Sequence, residues 1–374
     1  MKKPYIPPQL PPDLSQIYKG DFILLLGEAN RELARLGELP NLLPNINLAE
    51  RLAAPLLKKE AVLSSKIEGT QTTLSELFKH EAQISDVEKQ DDISKQAKEV
   101  ENYVRAMHEG MNEIKKLSLS LRTLKNMHRV LLAGVRNDQG IPGEFRDFDA
   151  YIGPKGTPIE LATYVASPPA EVNKLMHKLE SYIHEPSEED AIIQCALLHY
   201  QFEAVHPFGD GNGRIGRLLI PLFFFYKEII KYPLIYISEY FEKNHAEYYS
   251  RLQAVTEKGD WEGWIRFFLN GIITQSRTTF DRGEAIIDLY KQYHDRNFFN
   301  LQSPFTMELI QHIFSFPYTA APFLAHQAKM SKKTARSLLE NMTLKNLLVP
   351  SRGYYRKYPV KIYEFRDLLK IINK

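Results

Sequence analysis

Residues 206–217 read His-Pro-Phe-Gly-Asp-Gly-Asn-Gly-Arg-Ile-Gly-Arg. His206, with an unperturbed pKa of about 6.5, is suited to take a proton at neutral pH. Asp210 can carry Mg²⁺, a cation that typically binds through one or two carboxylates together with phosphate oxygens. Gly211, Asn212 and Gly213 offer backbone N–H groups that a run of side chains would hold away from an oligophosphate. Arg214 and Arg217, three apart on one helical face, present planar forks to successive phosphates. Together these residues can grip a polyphosphate and activate a nucleophile against it.

The flanking segments must position that set. IIQCALLHYQFEAV (192–205) is apolar at helical spacing, and RIGRLLIPLFFFY (214–226) resumes a helical pattern. The motif is therefore a loop between two helices, with the second helix aiming its N-terminal N–H groups at any bound anion. Gly211-x-Gly213-x-x-Gly216 also spells a dinucleotide fingerprint, but that requires a preceding strand, and a helix precedes it here. A calcium loop counted from Asp210 places Arg214 and Pro221 where ligands belong. A Gly-Lys-Ser/Thr phosphate loop is absent from the sequence. His199, Glu203 and His206 share one helical face, as metal ligands do, although a hydrogen-bonded core histidine is the simpler reading of His199.

Far upstream, Ser64-Ser-Lys-Ile-Glu-Gly-Thr70 carries two conflicting local signals. Ser65-x-x-Glu68 fits a capping box that opens a helix, whereas Gly69 fits the glycine that closes one. Apolar spacing from Leu56 through Ile67, with Pro55 as a first helical residue, favours a helix ending at Gly69. Glu68 then sits at a helix C-terminus, where the macrodipole disfavours an anion by ~0.3–1 kcal/mol. An acid kept there needs a cationic partner.

Residues 206–217 resemble the signature of the Fic family, His-x-Phe-x-Asp/Glu-Gly-Asn-Gly-Arg-x-x-Arg, with every fixed position met. The resemblance implies transfer of AMP from ATP to a Ser, Thr or Tyr hydroxyl of a target protein, releasing pyrophosphate. It implies His206 as the base, Phe208 as the loop's anchor in the core and Asp210 as the Mg²⁺ ligand. Gly211, Asn212 and Gly213 would hold the α-phosphate, Arg214 the β-phosphate and Arg217 the γ-phosphate. Relatives that phosphorylate carry a bulkier, lysine-containing loop, so the intact glycines favour nucleotidyl transfer. Ser64, Glu68 and Gly69 meet the family's inhibitory motif, Ser/Thr-x-x-x-Glu-Gly/Asn, whose Glu pairs with the second signature arginine, here Arg217. The family also runs the reverse, de-AMPylating hydrolysis. Ser238 to Tyr249 resembles the segment lining the adenine pocket, with Asn244 to hydrogen-bond the base and Tyr248 to pack beside it.

With 374 residues, 44% of them hydrophobic and 25% charged, the chain has the composition of a soluble globular protein of two or three domains. No signal-peptide core follows Met-Lys-Lys, and the most apolar run, Leu218–Tyr226, is too short to span a bilayer, so cytoplasm is expected and a membrane is not. The lone Cys195 reads as a buried small hydrophobe. The proline-rich first twelve residues suggest an extended arm, and 86–116 a charged, solvated helix. Within 149–166, two β-prone runs flank a Gly/Pro turn; in Fic proteins such a flap holds the target by strand addition. The expected fold is mainly α: an N-terminal helical region (1–116) with the inhibitory helix at about 55–69, a Fic helical core (117–285) with its hairpin flap, and a winged-helix-like domain (300–374). That last domain is read from helices at 306–314, 320–328 and 331–341, then strands at 347–351 and 354–365 around Gly353. Residues 329–374 hold twelve Lys and Arg against three acids, net +9. Lys332, Lys333 and Arg336 on the third helix, with Arg352, Arg356 and Lys357 on the wing, suit phosphate contacts with DNA. The same tail also suits protein contacts or a homodimer, and a nucleotide-sensing DNA-binding regulator is the alternative function.

Overall fold

A computed structural model of the chain describes residues 3–85, 91–135, 140–153, 158, 161–295, 303–356 and 358–374. In chain order the elements begin with α1 (Gly20–Glu38), α2 (Ile46–Ile67), α3 (Leu74–Glu81), β1 (Ile84–Ser85), α4 (Asp91–Lys116) and α5 (Leu121–Leu131). The hairpin β2 (Tyr151–Ile152) and β3 (Tyr164–Val165) follows, then α6 (Pro169–His184), α7 (Ala191–Val205) and α8 (Asn212–Tyr226). After these come α9 (Ser238–Lys243), α10 (His245–Lys258) and α11 (Trp261–Asp295). The tail holds α12 (Thr306–Ser315), β4 (Tyr318–Ala320), α13 (Ala321–Gln327), α14 (Lys332–Leu344), β5 (Val349–Tyr355), β6 (Tyr358–Glu364) and α15 (Arg366–Asn373). Among the described residues no helix is long and apolar enough to cross a membrane.

Two compact units emerge, and they interleave along the sequence. One comprises Met1–Gly37, Leu63–Glu68 and Asn102–Arg277; the other comprises Glu38–Val62, Gly69–Glu101 and Thr278–Lys374. The division falls inside α2, α4 and α11, where helical periodicity continues without a break.

At the centre of the first unit lie α7 and α8, both apolar nearly all round and buried, including Cys195. A helix apolar on every side must be surrounded by protein. The Asp190 side chain accepts the Ile192 N–H and starts α7. Beside it, His199, Phe241, Tyr248, Trp264 and Phe268 form an aromatic cluster, and Trp264 Nε1 donates to the Ala196 carbonyl (2.9 Å).

The second unit carries a four-stranded antiparallel sheet in the order β1-β5-β6-β4. Helix, strand, helix, helix and hairpin succeed one another from α12 to β6, the order expected from sequence with β4 added. Ser331 caps α14 as expected, its Oγ accepting the Thr334 N–H. Gly353 does not turn the hairpin: it pairs with Val360 in mid-ladder, and Arg356, at φ +47°, stands at the turn. Lys357 lies outside the described residues.

One expectation is corrected. Helix α2 begins at Ile46, nine residues before Pro55, which sits inside it. Proline there gives up one intrahelical hydrogen bond, and α2 runs on through it with Leu52, Leu56 and Leu57 buried. The end of α2 is as expected: Ser65 belongs to its last turn, Gly69 follows it, and no capping box forms around Ser65 and Glu68. The capping box observed is Thr73 with Glu76, at the head of α3.

Candidate active site

His206 ends α7 in the left-handed conformation, φ +51° and ψ +60°, which is uncommon for a residue with a Cβ. Arg146 holds it there. The buried Arg146 guanidinium donates to the carbonyls of His206 (2.7 Å), Phe148 (2.8 Å), Ser167 (2.5 Å) and Val205 (3.1 Å), and the Arg146 N–H donates to the Pro207 carbonyl (2.9 Å). Nothing in the spacing of Arg146 marked it in the sequence. Burial, reinforced by the Arg146 charge, pushes the His206 pKa down to about 4, although Glu68 and Asp210 pull upward. The imidazole is thus neutral at physiological pH, and its Nδ1 is buried without a hydrogen-bond partner. That is the protonation state a general base requires.

The loop after His206 is braced from within. Phe208 is fully buried and stacks on His128 with ring centroids 3.8 Å apart. His128 Nδ1 accepts the Gly143 N–H (2.8 Å), so Nε2 carries the proton and donates to the Asp210 carbonyl (2.9 Å). The Asn212 side chain clamps Phe208 twice, accepting its N–H and donating to its carbonyl, both at 2.8 Å. Gly211, at φ +77°, takes the left-handed conformation that a side chain would strain, and it starts α8. The first N–H groups of α8 have no carbonyl one turn back inside the helix, and so they form a donor cluster for an anion.

Asp210 Oδ1 accepts from the Gly211 N–H (2.6 Å) and from Arg214 (3.2 Å), with 42% of the Asp210 side chain exposed. No group of three or more His, Cys, Asp or Glu able to hold a metal occurs among the described residues. Asp210, part exposed at the loop, is a carboxylate that could share a cation with a phosphate ligand.

Arg217 is only 1% exposed and is held from three sides. Its Nε donates to Ser64 Oγ (2.9 Å), and its Nη2 donates to the Ser64 carbonyl (2.9 Å) and to Glu68 Oε1 (2.6 Å). A Cβ on Gly213 would intrude on both Glu68 Oε1 and Arg217 Nη1, so the glycine makes the seat for the carboxylate. Burial alone would raise the Glu68 pKa, but Arg217, with Arg214 and His206 adding to it, outweighs that and leaves it below the ordinary value. Gly69 follows at φ +93° and ends the helix. The misplaced anion read from sequence has its cation.

His199 is a satisfied core residue. Its Nδ1 meets the Gly216 carbonyl (3.0 Å) and its Nε2 the Tyr248 hydroxyl (2.9 Å), which leaves no ring nitrogen for a metal. Tyr248 accordingly lies in the aromatic cluster at 1% exposure, and Asn244 spends its side-chain amide on the Tyr240 carbonyl (2.9 Å). Neither lines a cavity of about 410 Å³ bounded by the hairpin and by the last turn of α7. From α10 that cavity takes Tyr249, Leu252, Gln253 and Thr256, while Tyr248, next to Tyr249 in the chain, stays out of it.

The flap hairpin forms with Tyr151 opposite Val165 and Ile152 opposite Tyr164, and the Tyr164 hydroxyl ties it to the Ala204 carbonyl (2.6 Å). Residues 154–157, 159 and 160 lie outside the described residues. The N-terminal arm is docked, not free. The Tyr5 N–H donates to the Val165 carbonyl (3.1 Å), and Ser167 Oγ donates to the Tyr5 carbonyl (2.9 Å). The arm thus occupies the β3 edge of the hairpin.

The Fic/DOC family N-terminal model matches residues 23–112 and the Fic/DOC family model residues 118–224, between them more than half of the chain. The chain is 28% identical over 179 residues to the protein adenylyltransferase Fic of Drosophila grimshawi, and 30% identical over 174 residues to that of Aedes aegypti. Those matches take in 47% and 46% of this chain but only 31% and 29% of the relatives, so the chain spans under a third of their length. A Fic family protein from Desulfovibrio desulfuricans G20 superposes with a TM-score of 0.54 at 19% identity, covering 92% of this chain and 95% of that one. Fic-1 from C. elegans (residues 134–508) gives 0.50 at 19%, covering 75% and 79%. These likenesses share the fold.

Proposed function

The chain belongs to the Fic/DOC family, and from that premise we propose that it is an autoinhibited protein adenylyltransferase, moving AMP from ATP to a Ser, Thr or Tyr hydroxyl of a target protein. His206, neutral in its buried setting, takes the proton from the target hydroxyl. The hydroxyl oxygen bonds to the α-phosphorus as the bond from that phosphorus to the bridging oxygen breaks, and pyrophosphate leaves. Charge developing on the α-phosphate meets the N–H groups of Asn212 and Gly213 at the start of α8. Arg214 takes the β-phosphate and Arg217 the γ-phosphate. Asp210 would hold Mg²⁺, which when bound offsets charge on the phosphates and leaving pyrophosphate. The cavity beside the last turn of α7 receives the nucleoside, which assigns contacts with the base to Tyr249, Leu252 and Thr256.

The observation that carries this reading is the 2.6 Å ion pair between Arg217 and Glu68. A γ-phosphate and the Glu68 carboxylate need the same guanidinium, so the ion pair and productive ATP exclude one another. Transfer of label from α-phosphate-labelled ATP to protein tests it. The native chain should label weakly and its Glu68→Gly form strongly; no labelling by the Glu68→Gly form with Mg²⁺ present would sink the enzyme reading.

A second reading concerns the tail. A groove of about 960 Å³ between α14 and the β5–β6 hairpin is lined by Arg336, Arg352 and Lys361. All three are exposed, and none makes an ion pair among the described residues. Unpaired cations on a helix and on the adjacent hairpin favour duplex DNA as a partner. Binding insensitive to salt would count against it.

A further inference from the structure

Glu203 lies one turn before His206 on α7, and adenylyl transfer as described above gives it no task. Its Oε1 is buried without a hydrogen-bond partner. That oxygen packs on α8 at Gly216, where a Cβ would collide with it, so Gly216 makes the room that Glu203 fills. The same side chain lines the nucleoside cavity together with Tyr164, Val165, Tyr249 and Leu252. Burial pushes the Glu203 pKa up to about 7, with Arg217 pulling it down and Glu68 pushing it further up. A buried carboxyl group without a donor is unfavourable, and groups of this kind are met by a partner when the site fills.

Position says which donor arrives. The cavity takes Glu203 and Ala204 from the last turn of α7, beside His206, and from α10 Thr256, whose hydroxyl meets Tyr200 (3.0 Å) one turn farther back along α7. A nucleoside triphosphate with its α-phosphate at the start of α8 places its ribose next and its base farther along. Acidic side chains are common partners of ribose hydroxyls in nucleotide sites because a carboxylate can accept from both. Resting on the adenylyl-transfer reading, we propose that Glu203 recognises the ribose, accepting hydrogen bonds from its 2′- and 3′-hydroxyls and selecting ribonucleotides over deoxyribonucleotides.

The test compares ATP, 2′-deoxy-ATP and 3′-deoxy-ATP by calorimetric titration of the full-length Glu68→Gly protein with Mg²⁺. Loss of either hydroxyl should weaken binding about tenfold, the usual size of one charge-assisted hydrogen bond. Glu203→Ala, which removes both bonds, should lower ATP affinity about a hundredfold and that of each deoxynucleotide about tenfold, bringing the three to a common level. Glu203→Gln, which keeps the size and one acceptor, should retain part of the difference. Comparing the three nucleotides on the unaltered Glu203 needs no further substitution, so the test survives a variant that fails to fold. Equal affinity for all three, or a preference that persists in Glu203→Ala, overturns the ribose assignment while adenylyl transfer stands. No ATP binding at all would overturn adenylyl transfer, and the ribose assignment with it.

Discussion

Arg217 donates three hydrogen bonds, two to Ser64 and one to Glu68, and they occupy the guanidinium that the γ-phosphate would need. Because Glu68 keeps 35% of its side chain exposed, solvent moderates the strength of the pair, which suits a contact that has to be displaced. His206 supplies the pH prediction at this scale. Its folded pKa is depressed to about 4 from an ordinary 6.5, and the unprotonated form is the one that works. Activity should therefore persist as pH falls through 6 and decline only near about 4. Removing Glu68 takes away an upward pull, so the limb in the Glu68→Gly form lies at or below that value. Label transfer against pH, with circular dichroism to confirm that the fold persists, checks this; a limb near the ordinary value would show that burial does not govern His206. Residues 206–217 and Glu68 were legible because their chemistry is written in side-chain type and short spacing. Arg146 and Glu203 were not, since each acts on groups that only folding brings near.

Elements place these residues by their ends and their phases. Helix α7 must stop at His206 and α8 must start at Gly211, and Arg146 ties the carbonyls of Val205, His206 and Pro207 at that break to those of Phe148 and Ser167 beside the hairpin. Arg146→Lys keeps the charge but loses the planar fork, so it should lower unfolding stability by roughly 2–4 kcal/mol, read from the urea midpoint. An unchanged midpoint would show that the loop holds itself. Phase separates the two tyrosines at the start of α10. Tyr248 and Tyr249 are adjacent, yet one joins the aromatic core and the other lines the cavity, and an aromatic-rich helix start does not reveal which. Short strands hide from the sequence: β1 and β4 are two and three residues long, too brief for an alternating pattern. Pro55 misled because a proline tolerated inside a helix looks like one that begins it.

At the scale of the whole molecule, charge is the most direct sequence-level signal. Residues 329–374 carry net +9 within a chain of net +2, and the structure gathers Arg336, Arg352 and Lys361 around one groove. Duplex DNA should bind more weakly as salt rises, and replacing Lys332, Lys333 and Arg336 together by Ala should lower the log–log salt slope by about 3 if each meets a phosphate. Fluorescence anisotropy measures it, and an unchanged slope would place the contact elsewhere. The sequence by itself determined the family motif, the helical class of the fold, the acid at the end of α2 and the basic tail, because composition, periodicity and short spacing are local properties. Only the tertiary structure decided that Arg217 is held by Ser64 and Glu68 across a sequence separation of about 150 residues. It also decided that the β3 edge is taken by the N-terminal arm, that the cavity faces Tyr249, and that the units interleave. Those outcomes depend on which buried surfaces meet, and a linear pattern of residues does not specify that.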